Sequence, residues 1–198
     1  MNISDYKIIY TLSCIAIALI ILFPTLATVI RLPEGEHFSE LWLLGPSHKA
    51  EGYPFNVVSN ATYNVTLGIG NRMRGLQYYV VYLKFRNQTE PLPNATTMTP
   101  SAMKPFYEYR AFLSDEETWE SQVVFGLKDV GFEGNLCRIQ KMDIGTEIIS
   151  VDKVATWDQT NHGFYFQLFF ELWIYNATEP GLQFHNRFVG IWLNATKS

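Results

Sequence analysis

The spacing of apolar residues changes once along this chain, near residue 38, and the change separates two regimes. Ile8 to Ile30, IIYTLSCIAIALIILFPTLATVI, is a run of 23 positions without a charge. At about 1.5 Å per helical residue, such a run exceeds a hydrocarbon core of roughly 30 Å. It predicts a transmembrane helix over residues 8–30. A cleaved signal peptide is the competing reading, supported by Lys7 ahead of the run and the small-x-small triplet Thr25-Leu26-Ala27. The length of the run favours an uncleaved anchor. Pro24 lacks an amide proton and is expected to kink the helix or mark its exit. Residues 1–7 then form a cytoplasmic stub. Residues 31–37, with Pro33 and Gly35, form a juxtamembrane linker.

From Phe38 onward the period is two. Phe38–Leu44 reads as a first strand, ended by Gly45-Pro46. Thr62–Gly70 alternates: Tyr63, Val65, Leu67 and Ile69 face inward, and Thr62, Asn64, Thr66 and Gly68 face outward. Further strands are expected over Leu76–Phe85, Phe106–Leu113, Thr118–Phe125, Leu136–Met142, Phe164–Tyr175 and Phe184–Trp192. Gly126, Gly131 and Gly134 suggest a connection between two of them. Residues 86–104 form a loop, and residues 143–163 read as an insertion that is either a strand pair or a packed loop. Seven to nine strands at roughly ten-residue spacing predict an antiparallel β-sandwich of immunoglobulin-like type over residues 38–198.

Composition adds location. The chain has 12 Asn and 25 Ser plus Thr among 198 residues, yet seven Asn-x-Ser/Thr triplets, beginning at Asn2, Asn60, Asn64, Asn87, Asn94, Asn176 and Asn194. Chance alone gives about one or two. Six lie beyond the helix and predict an extracellular, N-glycosylated domain with a cytoplasmic N-terminus; Asn2 is then accidental. The flanking Lys7 and Arg31 do not set an orientation. A net charge of −4 offers no basic field, so nucleic acid is not an expected partner. Cys14 and Cys137 fall in different regimes and are not expected to pair.

Chemistry is sparse. His37, His48, His162 and His185 lack zinc-ligand spacing, although His162 and His185 are a conceivable tertiary pair. GIGNRMRG over residues 68–75 resembles a phosphate loop but lies between strands and reads as a hairpin turn. Asp115 to Glu117 lack the alternation of a calcium loop. Trp119, Trp157, Trp173 and Trp192 are candidates for a sugar platform or for core. No enzymatic activity and no cofactor are expected. The span between Thr97 and Tyr175 carries no sequon, which points to residues 106–163 as the protein-facing surface.

FSELWLLGPSHKAEGYP, residues 38–54, resembles the opening motif of the domain of unknown function 1616 family, which comprises archaeal and bacterial membrane-linked domains. The residues that carry it are Phe38, Ser39, Glu40, the strand Leu41–Leu44, Gly45, Pro46, Lys49, Ala50, Tyr53 and Pro54. The likeness continues more weakly through the second strand and its turn, Glu117-Thr118-Trp119-Glu120 and Phe166–Tyr175, and breaks at residues 143–163. It implies an immunoglobulin-like sandwich displayed outside a membrane, and no activity. It also implies a structural role for the motif: Gly45-Pro46 and Tyr53-Pro54 shape the first crossover, and Glu40 satisfies buried backbone donors. The expectation is a single-pass, glycosylated archaeal cell-surface protein that touches the lipid bilayer and other envelope proteins or its own copies. A pilus-like filament subunit packed through its N-terminal helix, and a carbohydrate- or metal-binding receptor module, are the alternatives.

Overall fold

The computed structural model describes residues 3–29 and 36–197, with side chains from 6–24 and 36–197. Asn2 and residues 31–35 of the expected linker lie outside the described residues. The chain divides into two compact units, residues 1–36 and 37–198. The first unit holds one helix, α1 (Ile3–Val29), without a charged residue beyond Lys7, with the stretch Tyr6–Pro24 long and apolar enough to cross a membrane. Pro24 does not end it, since the helix continues to Val29. The helix also takes in most of the segment read as a stub.

The second unit is a sandwich of two five-stranded sheets. Its strands are β1 (Phe38–Leu44), β2 (Asn56–Val58), β3 (Thr62–Arg72), β4 (Gln77–Asn87), β5 (Tyr107–Leu113), β6 (Thr118–Glu133), β7 (Leu136–Ile144), β8 (Glu147–Thr156), β9 (Tyr165–Asn176) and β10 (Gly181–Thr196). The first sheet runs β1-β3-β6-β7-β8 and the second β2-β10-β9-β4-β5. All pairs are antiparallel except the short parallel contact of β2 with β10. Val65, Leu67, Ile69, Val123 and Phe125 of one sheet meet Tyr79, Val81, Leu83, Phe166, Leu168 and Phe170 of the other in a single core, as the alternation required.

Three expectations are corrected. Residues 126–133 are not a connection: β6 runs through them to Glu133, paired with β7 along its length. Its buried positions change parity between Leu127 and Val130, across Asp129 with its left-handed φ of 52°, and those of β7 change parity between Ile139 and Met142. A period-two pattern cannot be read through such a flip. Residues 68–75 are not a hairpin turn, because β3 and β4 belong to different sheets. The buried Asn71 redirects the chain there. Its Nδ2 donates to the carbonyls of Gly75 (2.7 Å) and Leu113 (2.8 Å), while its Oδ1 accepts from Met73 N and Tyr79 OH. The third concerns outward residues of β3, taken up with the site below. Residues 143–163 resolve into the end of β7, a turn at Gly145, the whole of β8 and a closed turn between Asp158 and Gly163.

A third layer covers the outer face of the second sheet. Lys84 of β4 and Glu171 of β9 lie there, 3% and 0% exposed, with Nζ 2.8 Å from Oε2. The loop between β4 and β5 completes the set: Lys84 also donates to Ser101 O (2.9 Å), Ser101 N donates to Glu171 Oε1 (2.9 Å), and Trp173 Nε1 reaches Glu171 Oε2 (3.3 Å). Removing one member of a buried ion pair leaves the other charge unsolvated. Glu171→Gln is therefore expected to destabilise the domain by about 3–5 kcal/mol, and Lys84→Met with Glu171→Leu by clearly less. Chemical denaturation of the full chain, followed by tryptophan fluorescence, checks both; equal losses in single and double variants would contradict the assignment.

Candidate functional site

The family-motif residues lie along β1 and the loop that leaves it. Gly45 N donates to Lys49 O (2.7 Å), and His48 N to Gly45 O (2.9 Å), closing the loop on itself. A Cβ on Gly45 would come within 2.0 Å of Glu51 O, so a side chain is excluded there. Tyr53 OH donates to Leu43 O at 2.8 Å and pins the far end of the loop beside half-buried Pro54. Lys49 reaches Glu51 at 3.8 Å in open solvent, and Ala50 is exposed. Glu40 departs from its expected role: among the described residues it meets no buried backbone donor, and its carboxylate lies 3.4 Å from Arg72 on the outer face of the first sheet.

That outer face carries the densest side-chain constellation of the motif. In register, Trp42, Gly68 and Glu120 form one row across β1, β3 and β6. The Trp42 ring lies over Gly68, where a Cβ would meet it at 2.0 Å, and donates from Nε1 to Glu120 Oε1 at 3.0 Å. His48 Nε2 lies 2.8 Å from Glu120 Oε2. Gly70 is overlaid in the same way by Glu40. So Gly68 faces outward as the alternation required, but it is buried, because β1 folds its long side chains across it. Hydrogen bonds from His48 and Trp42 hold the Glu120 carboxyl below its ordinary range. The set offers a carboxylate already engaged on both oxygens, which suits a structural clasp better than acid-base chemistry.

The other candidates are scattered. Trp119 packs on Tyr109, Trp157 on Phe164, and Trp173 on Tyr82, so the four tryptophans do not share one platform. Trp192 stands apart under the Arg86 guanidinium, 5.1 Å from its ring centre. His162 and His185 line different depressions, with Trp157 and with Tyr78 respectively. Among the described residues no three His, Cys, Asp or Glu side chains are placed to hold a metal ion. Cys137 is buried in the core, which pushes its thiol up to about 12.

Of the six sequon asparagines in the sandwich, Asn60 and Asn94 are exposed and Asn64, Asn87, Asn176 and Asn194 are half-buried. Asn60 occupies the turn before β3 and Asn64 the outer face of β3, while Asn94 sits on the loop over the second sheet. Asn87 ends β4, Asn176 ends β9, and Asn194 is on β10. Asn87, Asn94 and Asn176 each accept the N–H of their own Thr at the third position, through Oδ1, at 2.9 Å. The sequon-free span supplies β5, an edge strand of the second sheet, β6-β7-β8 of the first sheet, and most of the central strand β9. The outer side of β6-β7-β8 is laced by Lys128–Asp143 (3.1 Å), Lys141–Asp129 (2.8 Å) and the two-pronged Arg138–Asp152 pair.

A family model described as Domain of unknown function (DUF1616) matches residues 32–138, which takes in the motif, Asn71 and the Trp42 row and stops short of Phe166–Tyr175. No curated protein matches the chain in sequence. Among solved structures, one chain of the complex between Zinc 2-glycoprotein and Prolactin inducible protein from human seminal plasma aligns at 10% identity. The alignment covers 83% of this chain and 100% of that one, with a TM-score of 0.38. A beta-glucosidase from Listeria innocua aligns at 10% identity over 83% of this chain but only 17% of its own length, with a TM-score of 0.32. The seventh PapD-like domain of human CEP192 aligns at 7% identity over 85% and 93%, with a TM-score of 0.30. Likenesses at this level carry nothing over to this chain.

Two outcomes test the clasp. Gly68→Ala drives a Cβ into the Trp42 ring and is expected to cost about 1–3 kcal/mol, with a shift in tryptophan emission. Glu120 has a lowered pKa, so its contribution is complete above its ordinary value of 4.5 and is lost as pH falls through the lower folded value. Screening by solvent keeps that contribution below about 1 kcal/mol. The stability gap between the wild-type chain and Glu120→Gln is therefore expected to be full above pH 4.5 and to shrink as pH falls below it in denaturant titrations.

Proposed function

The chain belongs to the domain of unknown function family DUF1616, and from that premise we propose that it is a membrane-anchored, N-glycosylated surface protein of an archaeal envelope, whose sandwich serves as a structural or interaction subunit. The helix α1 inserts in the bilayer, the N-terminus stays in the cytoplasm, and the sandwich stands outside. The observation that carries this reading is the joint presence of a helix with no charge beyond Lys7 and six sequon asparagines, exposed or half-buried, on the one domain after it. Restriction to two dimensions raises the effective concentration of such a module for neighbours in the same membrane.

A glycan bars close protein contact around its attachment point. The outer faces of β6, β7 and β8, which bear no sequon, supply a surface for a partner. That surface is charged rather than apolar: the Arg138–Asp152 and Lys141–Asp129 pairs are exposed and Lys128–Asp143 is half-buried. Recognition there rests on charge complementarity, which sets specificity and encounter rate more than raw affinity. Exposed Ile148 on β8 adds an apolar contact.

Expression in a host that N-glycosylates surface proteins tests the reading. The intact chain is expected to stay with membranes in alkaline carbonate and to exceed its sequence mass. Each Asn→Gln change at Asn60, Asn64, Asn87, Asn94, Asn176 or Asn194 should remove one mass step, and Asn2→Gln none. A chain at its bare sequence mass, or one released by carbonate, overturns it. Extraction as long polymers in place of small particles would favour the filament arrangement.

A further inference from the structure

One end of the outer face of the second sheet carries a cleft that the clasp and the sequon-free surface leave unused. Register places Arg86, Gln167 and Trp192 side by side across β4, β9 and β10, with Tyr165 and Asn194 paired in the next outward row. Beside them opens a cleft of about 370 Å³ lined by Phe55, Gln88, Asp158, Asn161, Tyr165 and Trp192.

Its wall has two chemistries. Phe55 and Tyr165 present ring faces 6.0 Å apart and tilted by 35°, and Trp192 is 39% exposed with Arg86 against its ring. The polar rim is fixed in advance. Asp158 accepts from Thr160 N (2.8 Å), Asn161 N (3.0 Å) and Asn161 Nδ2 (2.8 Å), which holds its carboxyl below the ordinary range. Tyr165 OH donates to Asn161 O at 2.6 Å, tying the aromatic wall to the rim. Gln88 Nε2 is held by Thr156 O at 3.0 Å, so its Oε1 is left for another donor. In the row beside the cleft, Arg86 Nε and Gln167 Oε1 have no protein partner although both side chains are only 7% exposed.

Aromatic faces beside a rigid carboxylate and amides match one class of molecule, a ring with apolar C–H faces and a girdle of hydroxyls. We propose that this cleft binds a pyranose, its C–H face on Trp192 and Tyr165 and its hydroxyls on Asp158, Asn161 and Gln88. The source that the geometry favours is the chain's own glycan at Asn194. Asn194 lines the neighbouring depression with Trp157 and His162 and borders the cleft through its strand partner Tyr165 and its N–H, which donates to Phe55 O (2.7 Å); its Nδ2 donates to Asn56 Oδ1 (3.0 Å), and its Oδ1 accepts from Phe164 N (3.0 Å). A sugar attached there is delivered beside Tyr165 at high effective concentration. This choice of source rests on the glycosylation proposed above, whereas the pyranose site does not.

The test uses the full chain in lipid nanodiscs, as wild type and as Asn194→Gln, titrated with methyl glucosides, mannosides and N-acetylglucosaminides. Binding is read by saturation-transfer NMR and tryptophan emission, and occupancy of Asn194 by mass spectrometry. Asn194→Gln is expected to bind a pyranoside with a Kd of about 1 mM. Adding Trp192→Leu, which keeps the apolar volume and removes the ring face, is expected to weaken this about tenfold or more. Gln88→Ala should weaken it without unfolding, and Trp42→Phe should leave it unchanged. A glycosylated wild type that takes up free pyranosides only after its glycan is removed identifies the attached glycan as the source. Equal binding by wild type and Asn194→Gln identifies an external saccharide. An unoccupied Asn194 defeats the glycosylation reading at that position but leaves the titration standing. No pyranoside binding to Asn194→Gln, or binding indifferent to Trp192→Leu, overturns the proposal.

Discussion

The ion pair between Lys84 and Glu171 is the interaction on which the layering of the domain depends. Two charges withdrawn from water are tolerable only when every remaining lone pair and proton finds a partner. The central strands β4 and β9 supply one another with half of that set. The rest comes from the N–H and C=O of Ser101, in the middle of the β4–β5 loop. The loop cannot lift away without stripping both charges, so it behaves as a third layer. This explains why FYFQLFFELWIY is apolar on both faces except at a few points, and why Val80 and Phe169, which point away from the inter-sheet core, are nonetheless wholly buried.

The same loop closes an edge. β8 is the last strand of the first sheet, and its unpaired side would be a template for a further strand. Asn87 Nδ2 donates to Val154 O (2.8 Å) and Gln88 Nε2 to Thr156 O (3.0 Å), while Glu90 pairs with Lys153. Side chains from the start of the loop thus occupy the acceptors that an incoming strand would use. At the other edge, β5 exposes Glu108 and Arg110, joined at 2.7 Å and held to Tyr78 OH. Occupied backbone at β8 and charge at β5 thus guard one edge of each sheet against pairing with a further strand.

The alternation rule located most strands because most strands have one face in the core: β1 has the bounds read from sequence, and β3, β4, β5 and β9 differ from them only at their ends. It failed where local geometry breaks the period. Asp129 and Asp152, both with positive φ, lie where β6 and β8 depart from regular pairing, and Asn186 lies within the bulge of β10. It also could not show that outward residues are covered, as Gly68 is by Trp42, because that depends on which strand becomes the neighbour. The cleft was illegible for the same reason. Its residues come from the β1–β2 connection, the β4–β5 loop, the β8–β9 turn, β9 and β10, and no short window of sequence holds more than Asp158 to Tyr165. Trp192 was visible as a candidate; what singled it out from the other tryptophans was exposure, which only the fold assigns.

Asparagine at a turn has an explanation that needs no sugar, and this bears on how the sequons are weighed. Asn87, Asn94 and Asn176 each fold their Oδ1 back onto the chain, Asn60 sits at a left-handed φ of 65°, and Asn194 ties Asn56 to Phe164. Turn chemistry favours Asn at such places. Asn64 is different: it lies in mid-strand on the outer face of β3, where Asn is a poor choice and makes no side-chain hydrogen bond among the described residues. Turn chemistry explains the third position only in part. In the Asn87, Asn94 and Asn176 turns the residue there gives its backbone N–H, which any residue but proline offers, and only at Asn87 does the Thr hydroxyl also donate to the Asn Oδ1 (3.0 Å). Yet Thr62, Thr66, Thr89, Thr96, Thr178 and Thr196 fill that position in all six cases. Folding accounts for most of the asparagines but not for the uniform threonine, and it is this pairing of Asn with Thr, the triplet that glycan attachment reads, on which the proposed glycosylation rests.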